Sequence, residues 1–190
     1  MLAILRRDGL RPSFSLGARP IGRVAIAITV PLAIALVVAT IAGVTLSWSV
    51  SLAAIAWIPV GAVGEELGWR GYLQRVLDVR MRGLTSSILV GLAWLPFHVG
   101  LWGLGMPRLA LFGVTLVAAS IVIFALVHDA GFSVTVAALC HAAINVGAAL
   151  LGAAATSTPV MALTAAGWSI AAVVAVLLKP RAFLGAHERA

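Results

Sequence analysis

Residues 24–46 form an apolar run without a single charge, and no other property of the chain restricts its fold more. A helix needs about 20 mostly apolar residues to cross a bilayer core. Five further runs of this kind follow, at residues 50–73, 84–104, 109–127, 132–151 and 159–178. Inside hydrocarbon every backbone N–H and C=O must find its partner within the protein, which a helix achieves unaided. The sequence therefore predicts an all-α, polytopic transmembrane helix bundle of about six spans. Composition agrees, with 62% of residues hydrophobic and 10% charged, against about half and about a quarter in soluble domains.

The net charge of +7 does not describe a nucleic-acid-binding face. The cations gather at the ends of the apolar runs, where a membrane protein meets anionic headgroups; membrane lipids, and no nucleic acid, are the partners this implies. With the N-terminus inside, the inside segments hold Arg6, Arg7, Arg11, Arg19 and Arg23, then Arg75, Arg80 and Arg82, then Lys179, Arg181 and Arg189. The outside loops hold only Arg108. This bias orients helices during insertion and predicts a multi-pass integral membrane protein with both termini cytoplasmic. The exception is the short turn at 128–131, inside in this layout yet without Lys or Arg.

Three parts follow: a basic interfacial segment over residues 1–23, interrupted by Pro12 and Pro20, the bundle over 24–178, and a basic tail over 179–190. No cleavable signal peptide is expected, and the first span serves as a signal anchor. The single cysteine, Cys140, excludes an internal disulfide framework.

Three polar motifs interrupt the apolar runs. The first is Gly64-Glu65-Glu66-Leu67-Gly68-Trp69-Arg70. A carboxylate in hydrocarbon costs a few kcal/mol even on lenient insertion scales. Glu66 and Arg70 are four residues apart and share a helix face, so an ion pair between them is natural. Glu65 is turned about 100° away and is left as the candidate general base. The plainer reading is a helix that ends early and leaves these charges in the interface. The second motif is Trp94-Leu95-Pro96-Phe97-His98, where His98 either hydrogen-bonds a neighbouring helix or faces a polar cavity opened by Pro96. The third is His141-Ala142-Ala143-Ile144-Asn145, with both polar side chains on one face about 6 Å apart along the axis. The pair is either an interhelical clamp or a pair of donors to one developing oxyanion. His128 and His187 have no such setting.

Together these motifs supply a base candidate, a second proton carrier and a donor pair, the parts needed to hydrolyse an acyl bond. One glutamate with two histidines is also a familiar zinc set, and Glu65, His98 and His141 would be its ligands. The chain has no His-Glu-x-x-His helix, so no cofactor is assigned and a divalent metal such as zinc stays open.

Glu65-Glu66-x-x-x-Arg70, an aromatic at 94 four residues before His98, and His141-x-x-x-Asn145 resemble the ordered motifs of the CAAX-processing and bacteriocin-processing intramembrane endopeptidases. That family includes the type II CAAX prenyl proteases and the bacterial Abi proteins, and the resemblance covers residues 52–151. It implies a helical-bundle enzyme with its site inside the membrane, reached from the cytoplasmic side. By resemblance Glu65 and His98 would activate water, His141 and Asn145 would stabilise the oxyanion, and Glu66 and Arg70 would support the site. The implied substrate is a prenylated or otherwise membrane-associated protein or peptide, cut near its C-terminus, and the implied location is the plasma membrane of a prokaryote. Trp94 stands where phenylalanine is usual. Many relatives carry further spans ahead of the segment corresponding to residues 6–17, so the chain is expected to be a short form or to lack an N-terminal helix pair.

Two other classes compete. In a membrane scaffold or bacteriocin-immunity protein the motif residues would only knit helices together. A proton-coupled carrier would use buried Glu and His as relays, but no internal repeat of the kind carriers show is evident. One geometric tension accompanies the enzyme reading: counted along a straight third helix, His98 lies deeper than Glu65 and His141.

Overall fold

The computed structural model describes residues 11–17, 20–48 and 52–185. Among them there is no strand, and each of the six apolar runs is mainly helical where it is described. Helix α1 spans Pro20–Ala42 and α2 spans Leu52–Gly68. After a π-helical turn at Trp69–Leu73, α3 continues over Gln74–Asp78. Helices α4 (Gly83–Trp94), α5 (Met106–Val127), α6 (Val134–Leu151), α7 (Thr158–Leu178) and α8 (Pro180–Leu184) complete the chain. Four segments are long and apolar enough to cross a membrane, at Pro20–Ala42, Met106–Ala130, Val134–Thr156 and Thr158–Leu178. The other two expected spans are α2, which carries the charged motif, and α4, which is short. The protein is an all-α membrane helix bundle.

Capping chemistry sets the ends of α1, which lies about four residues ahead of the expected 24–46. Pro20 occupies the first turn, where a missing N–H is harmless. At the other end Gly43 takes φ +65°. Its N–H donates to the Thr40 carbonyl at 3.3 Å, and Val44 N–H donates to the Ala39 carbonyl at 2.8 Å. This glycine-centred closure satisfies the last carbonyls and leaves residues 43–46 outside the helix.

Helix α5 is the centre of the bundle. Two thirds (67%) of its spanning window is buried, against 28% for α1 and for α7. Its neighbours are α4 and α7; α7 in turn packs on α1, α1 on α6, and α6 on α2. Small residues allow two of these approaches, as expected where lipid gives no hydrophobic drive between helices. Gly91 of α4 rests on the α5 backbone, where a Cβ would stand 2.5 Å from Val117 Cα. Gly147 of α6 meets Pro31 and Ala35 of α1.

One end of the bundle collects the basic segments. The extended residues 11–17 cross the start of α6, with Val134 N–H donating to the Ser13 carbonyl at 2.7 Å and Thr135 Oγ1 donating to the Phe14 carbonyl at 3.1 Å. Arg75 donates to the Arg11 carbonyl. At this end, too, Lys179 donates to Asp129 and to the Ala125 carbonyl. Thus the turn at 128–131, which has no cation of its own, takes one from the segment after α7. In that segment α8 buries Phe183 completely, with its ring 5.0 Å from that of Phe124. Residues 186–190, with His187 and Arg189, lie outside the described residues. Arg108 bonds the Thr156 carbonyl at 3.3 Å, away from this cluster.

Candidate active site

The charged motif does not end a helix. Residues 52–78 are helical throughout, so the reading that leaves Glu65 and Glu66 beyond a helix end is incorrect. The helix instead widens over Trp69–Leu73, where Gln74 N–H donates to the Trp69 carbonyl five residues back. Such π turns often mark functional sites. This one buries Trp69, Arg70 and Gly71 against the bundle.

Glu66 and Arg70 are both fully buried and form the ion pair their spacing predicts. Arg70 Nη1 donates to Glu66 Oε1 at 2.9 Å and to Oε2 at 3.0 Å. The same carboxylate reaches α6, since His141 Nδ1 lies 3.0 Å from Glu66 Oε1. A carboxylate can only accept there, so Nδ1 carries the proton and Nε2 is left over for another partner. His141 and Asn145 lie one turn apart on α6, and they differ in what holds them. His141 is buried and held by Glu66, while Asn145 sits half-buried one turn further along α6, with no hydrogen bond among the described residues.

Glu65 points away from this pair and is exposed. One of its oxygens, Oε2, accepts from Trp94 Nε1 at 2.8 Å. Trp94 is the residue that sequence reasoning underrated. Its ring is buried, lies 4.8 Å from that of His141, and is covered by the Arg70 guanidinium at 5.0 Å. A buried indole must place its N–H on an acceptor, and that requirement was the available signal. Trp69 joins the same aromatic cluster through Trp94 at 6.4 Å and Phe97 at 5.0 Å.

His98 does not lie on a straight third helix. Pro96 has no N–H to give to Leu92, so α4 ends at Trp94 and tightens into 3₁₀ turns at Leu95–Phe97 and Val99–Leu104. A straight helix to residue 104 does not exist. His98 itself leaves helical geometry, with φ −93° and ψ 49°. Its Nδ1 is 3.1 Å from the Trp94 carbonyl, an acceptor only, so again Nδ1–H donates and Nε2 remains. The ring packs 6.1 Å from Trp94 and 4.8 Å from Phe112.

Glu65, Glu66, Arg70 and His141 are thus joined through Trp94 into one polar network spanning α2, α4 and α6. His98 attaches to its edge through the same tryptophan, and no hydrogen bond links Glu65 to His98 among the described residues. Nor do Glu65, His98 and His141 close on a point: no three His, Cys, Asp or Glu side chains among the described residues form a metal-holding group. As placed, these three side chains do not fit a metal.

No curated protein matches the chain at a significant level. A family profile does match, over residues 47–147, the stretch that carries all three motifs and more than half the chain. The chain belongs to the type II CAAX prenyl endopeptidase Rce1-like family.

Proposed function

We propose that the protein is an intramembrane endopeptidase that hydrolyses a peptide bond near the C-terminus of a prenylated or otherwise membrane-associated protein or peptide. The observation that carries this reading is the division of labour between adjacent glutamates. Glu66 is sealed in an ion pair, while Glu65 is exposed with only one oxygen engaged. The other oxygen can accept a proton from water and direct the resulting hydroxide at a carbonyl. His98 offers a basic Nε2 beside the same tryptophan as the second proton carrier.

His141 Nε2 and the Asn145 amide are the donors for the tetrahedral oxyanion. His141 serves in this way when both ring nitrogens carry a proton, and the Glu66 carboxylate accepting from Nδ1 orients the ring, as a buried acid orients a catalytic histidine elsewhere. Arg70 and Trp94 are positioning residues: one fixes Glu66, the other fixes Glu65. The layout with the basic end cytoplasmic would let substrate enter from that side.

The test is cleavage of a membrane-anchored reporter by reconstituted protein. Glu65→Gln is expected to abolish cleavage while leaving a monodisperse, folded protein. Full activity in that variant would overturn the proposal. Peptidomics of membranes holding the active protein against the Glu65 variant would name the substrate. Elemental analysis of the same preparation tests for a stoichiometric divalent ion, which Glu65, His98 and His141 would have to draw together to hold.

One observation favours a second reading, a non-catalytic membrane scaffold or immunity protein. The bonds Glu66–His141 and Glu65–Trp94 tie α2 to α6 and α2 to α4, as a purely structural clamp would. On that reading Glu65→Gln lowers stability in detergent, and any protective phenotype follows protein level alone.

A further inference from the structure

Two cavities meet at the basic end of the bundle, away from the glutamate network. The first, of about 550 Å³, is polar, and its lining includes Arg82, His128, Asp129, Lys179 and Arg181. The second, of about 360 Å³, is an apolar groove between α1, α5 and α7, passing Ile26, Val122 and Val174 with Arg23 beside them. The cavities share Leu178 and Lys179 as lining residues, so they adjoin at the end of α7.

We propose that these adjoining cavities bind one anionic glycerophospholipid, its phosphate in the polar pocket and an acyl chain in the groove. The charges favour an anion. Asp129 is already engaged by Lys179 and by His128, the latter at 3.0 Å, and the pocket's other carboxylate, Asp78, takes the Ser86 hydroxyl at 3.4 Å. Arg82 and Arg181 are exposed and have no ion-pair partner among the described residues. Guanidinium groups are well shaped to hold phosphate through paired N–H donors. The twelve-residue α4 also begins here, at Gly83, and its N-cap residue Arg82 supplies no side-chain cap. Its first N–H groups therefore add a second source of positive potential beside the arginines.

The groove selects a lipid over a free anion. Residues 23, 26 and 30 of α1 and 171, 174, 175 and 178 of α7 line it along about two helical turns. All belong to helices long enough to span a membrane, so an acyl chain would follow these helices while the phosphate sits at their basic end. Inorganic phosphate would satisfy the arginines and leave the groove without a role. A zwitterionic headgroup brings its own cation and gains less from this cluster.

Native mass spectrometry of the full chain in detergent tests the proposal, with palmitoyl-oleoyl phosphatidylglycerol and the matching phosphatidylcholine as probes. Wild-type protein is expected to retain phosphatidylglycerol at least tenfold more tightly, and inorganic phosphate is expected not to displace it. Joint replacement Arg82→Gln with Arg181→Gln is expected to weaken phosphatidylglycerol about tenfold. Val174→Trp, at a 47% exposed position lining the groove, is expected to weaken both lipids. Equal retention of the two lipids by wild-type protein would overturn the proposal without recourse to any variant. Full displacement by inorganic phosphate would also overturn it, because it would mark a free-anion site. Undiminished phosphatidylglycerol retention by the double arginine variant would do the same.

Discussion

Adjacent glutamates should respond in opposite ways to the same substitution. In Glu66→Gln the neutral amide keeps one oxygen for two donors, Arg70 Nη1 and His141 Nδ1, and turns an N–H₂ group toward one of them. Arg70 is fully buried, and its Nε and Nη2 already have no partner among the described residues, so Glu66 is the carboxylate that neutralises it. Removing one member of a buried ion pair costs about 3–5 kcal/mol. That is a large share of the roughly 5–15 kcal/mol that holds a typical domain folded. Glu65→Gln, by contrast, alters an exposed side chain and retains an oxygen for the Trp94 indole, so its effect on stability should stay within about 1 kcal/mol. Both variants are to be assayed in parallel, by unfolding in mixed SDS–detergent micelles and by reporter cleavage. The expected pattern is a large stability loss for Glu66→Gln, and near-native stability with no cleavage for Glu65→Gln. Equal stability of the two variants would refute the division of labour, as would a Glu65→Gln protein that unfolds as readily as Glu66→Gln.

Further outcomes follow from particular contacts. Trp94→Phe keeps an aromatic under Arg70 but removes the 2.8 Å bond to Glu65; cleavage should fall about tenfold, in kcat more than in KM, for about 1.4 kcal/mol of lost positioning. Pro96→Ala restores a backbone donor and lets α4 continue toward His98; activity should fall while helicity by circular dichroism holds or rises. Gly91→Val introduces a Cβ that would stand 2.5 Å from Val117 Cα, and should lower stability by about 1–3 kcal/mol or more in the same micelle titration.

Much of the bundle was legible in the sequence, because lipid imposes a rule that acts within each segment: backbone groups must pair locally. The expected run at 159–178 thus differs by one residue from Thr158–Leu178, and that at 132–151 by two from Val134–Leu151. The Glu66–Arg70 pair was legible for the same reason, since i,i+4 neighbours are fixed by helix geometry alone. So was the separation of Glu65 from Glu66 by one helical step. What hydropathy could not show was where regular helix gives way: the closure at Gly43, the π turn at Trp69–Leu73 and the 3₁₀ turns after Pro96 each alter geometry without altering apolar content.

Contacts between helices were decided only by tertiary structure. Spacing put His141 and Asn145 on one helix face, but it could not name their partners on other helices: His141 bonds Glu66, and Glu65 bonds Trp94. Those partners depend on how far α2, α4 and α6 slide and rotate against one another. Close approaches at small residues such as Gly91 and Gly147 help set that register, and no single helix encodes it. The chain alone determined that charged residues lie among apolar helices and which of them share a face. The packed bundle decided that one glutamate is sealed against Arg70 and His141 while its neighbour stays exposed, because burial is a property of the assembled helices.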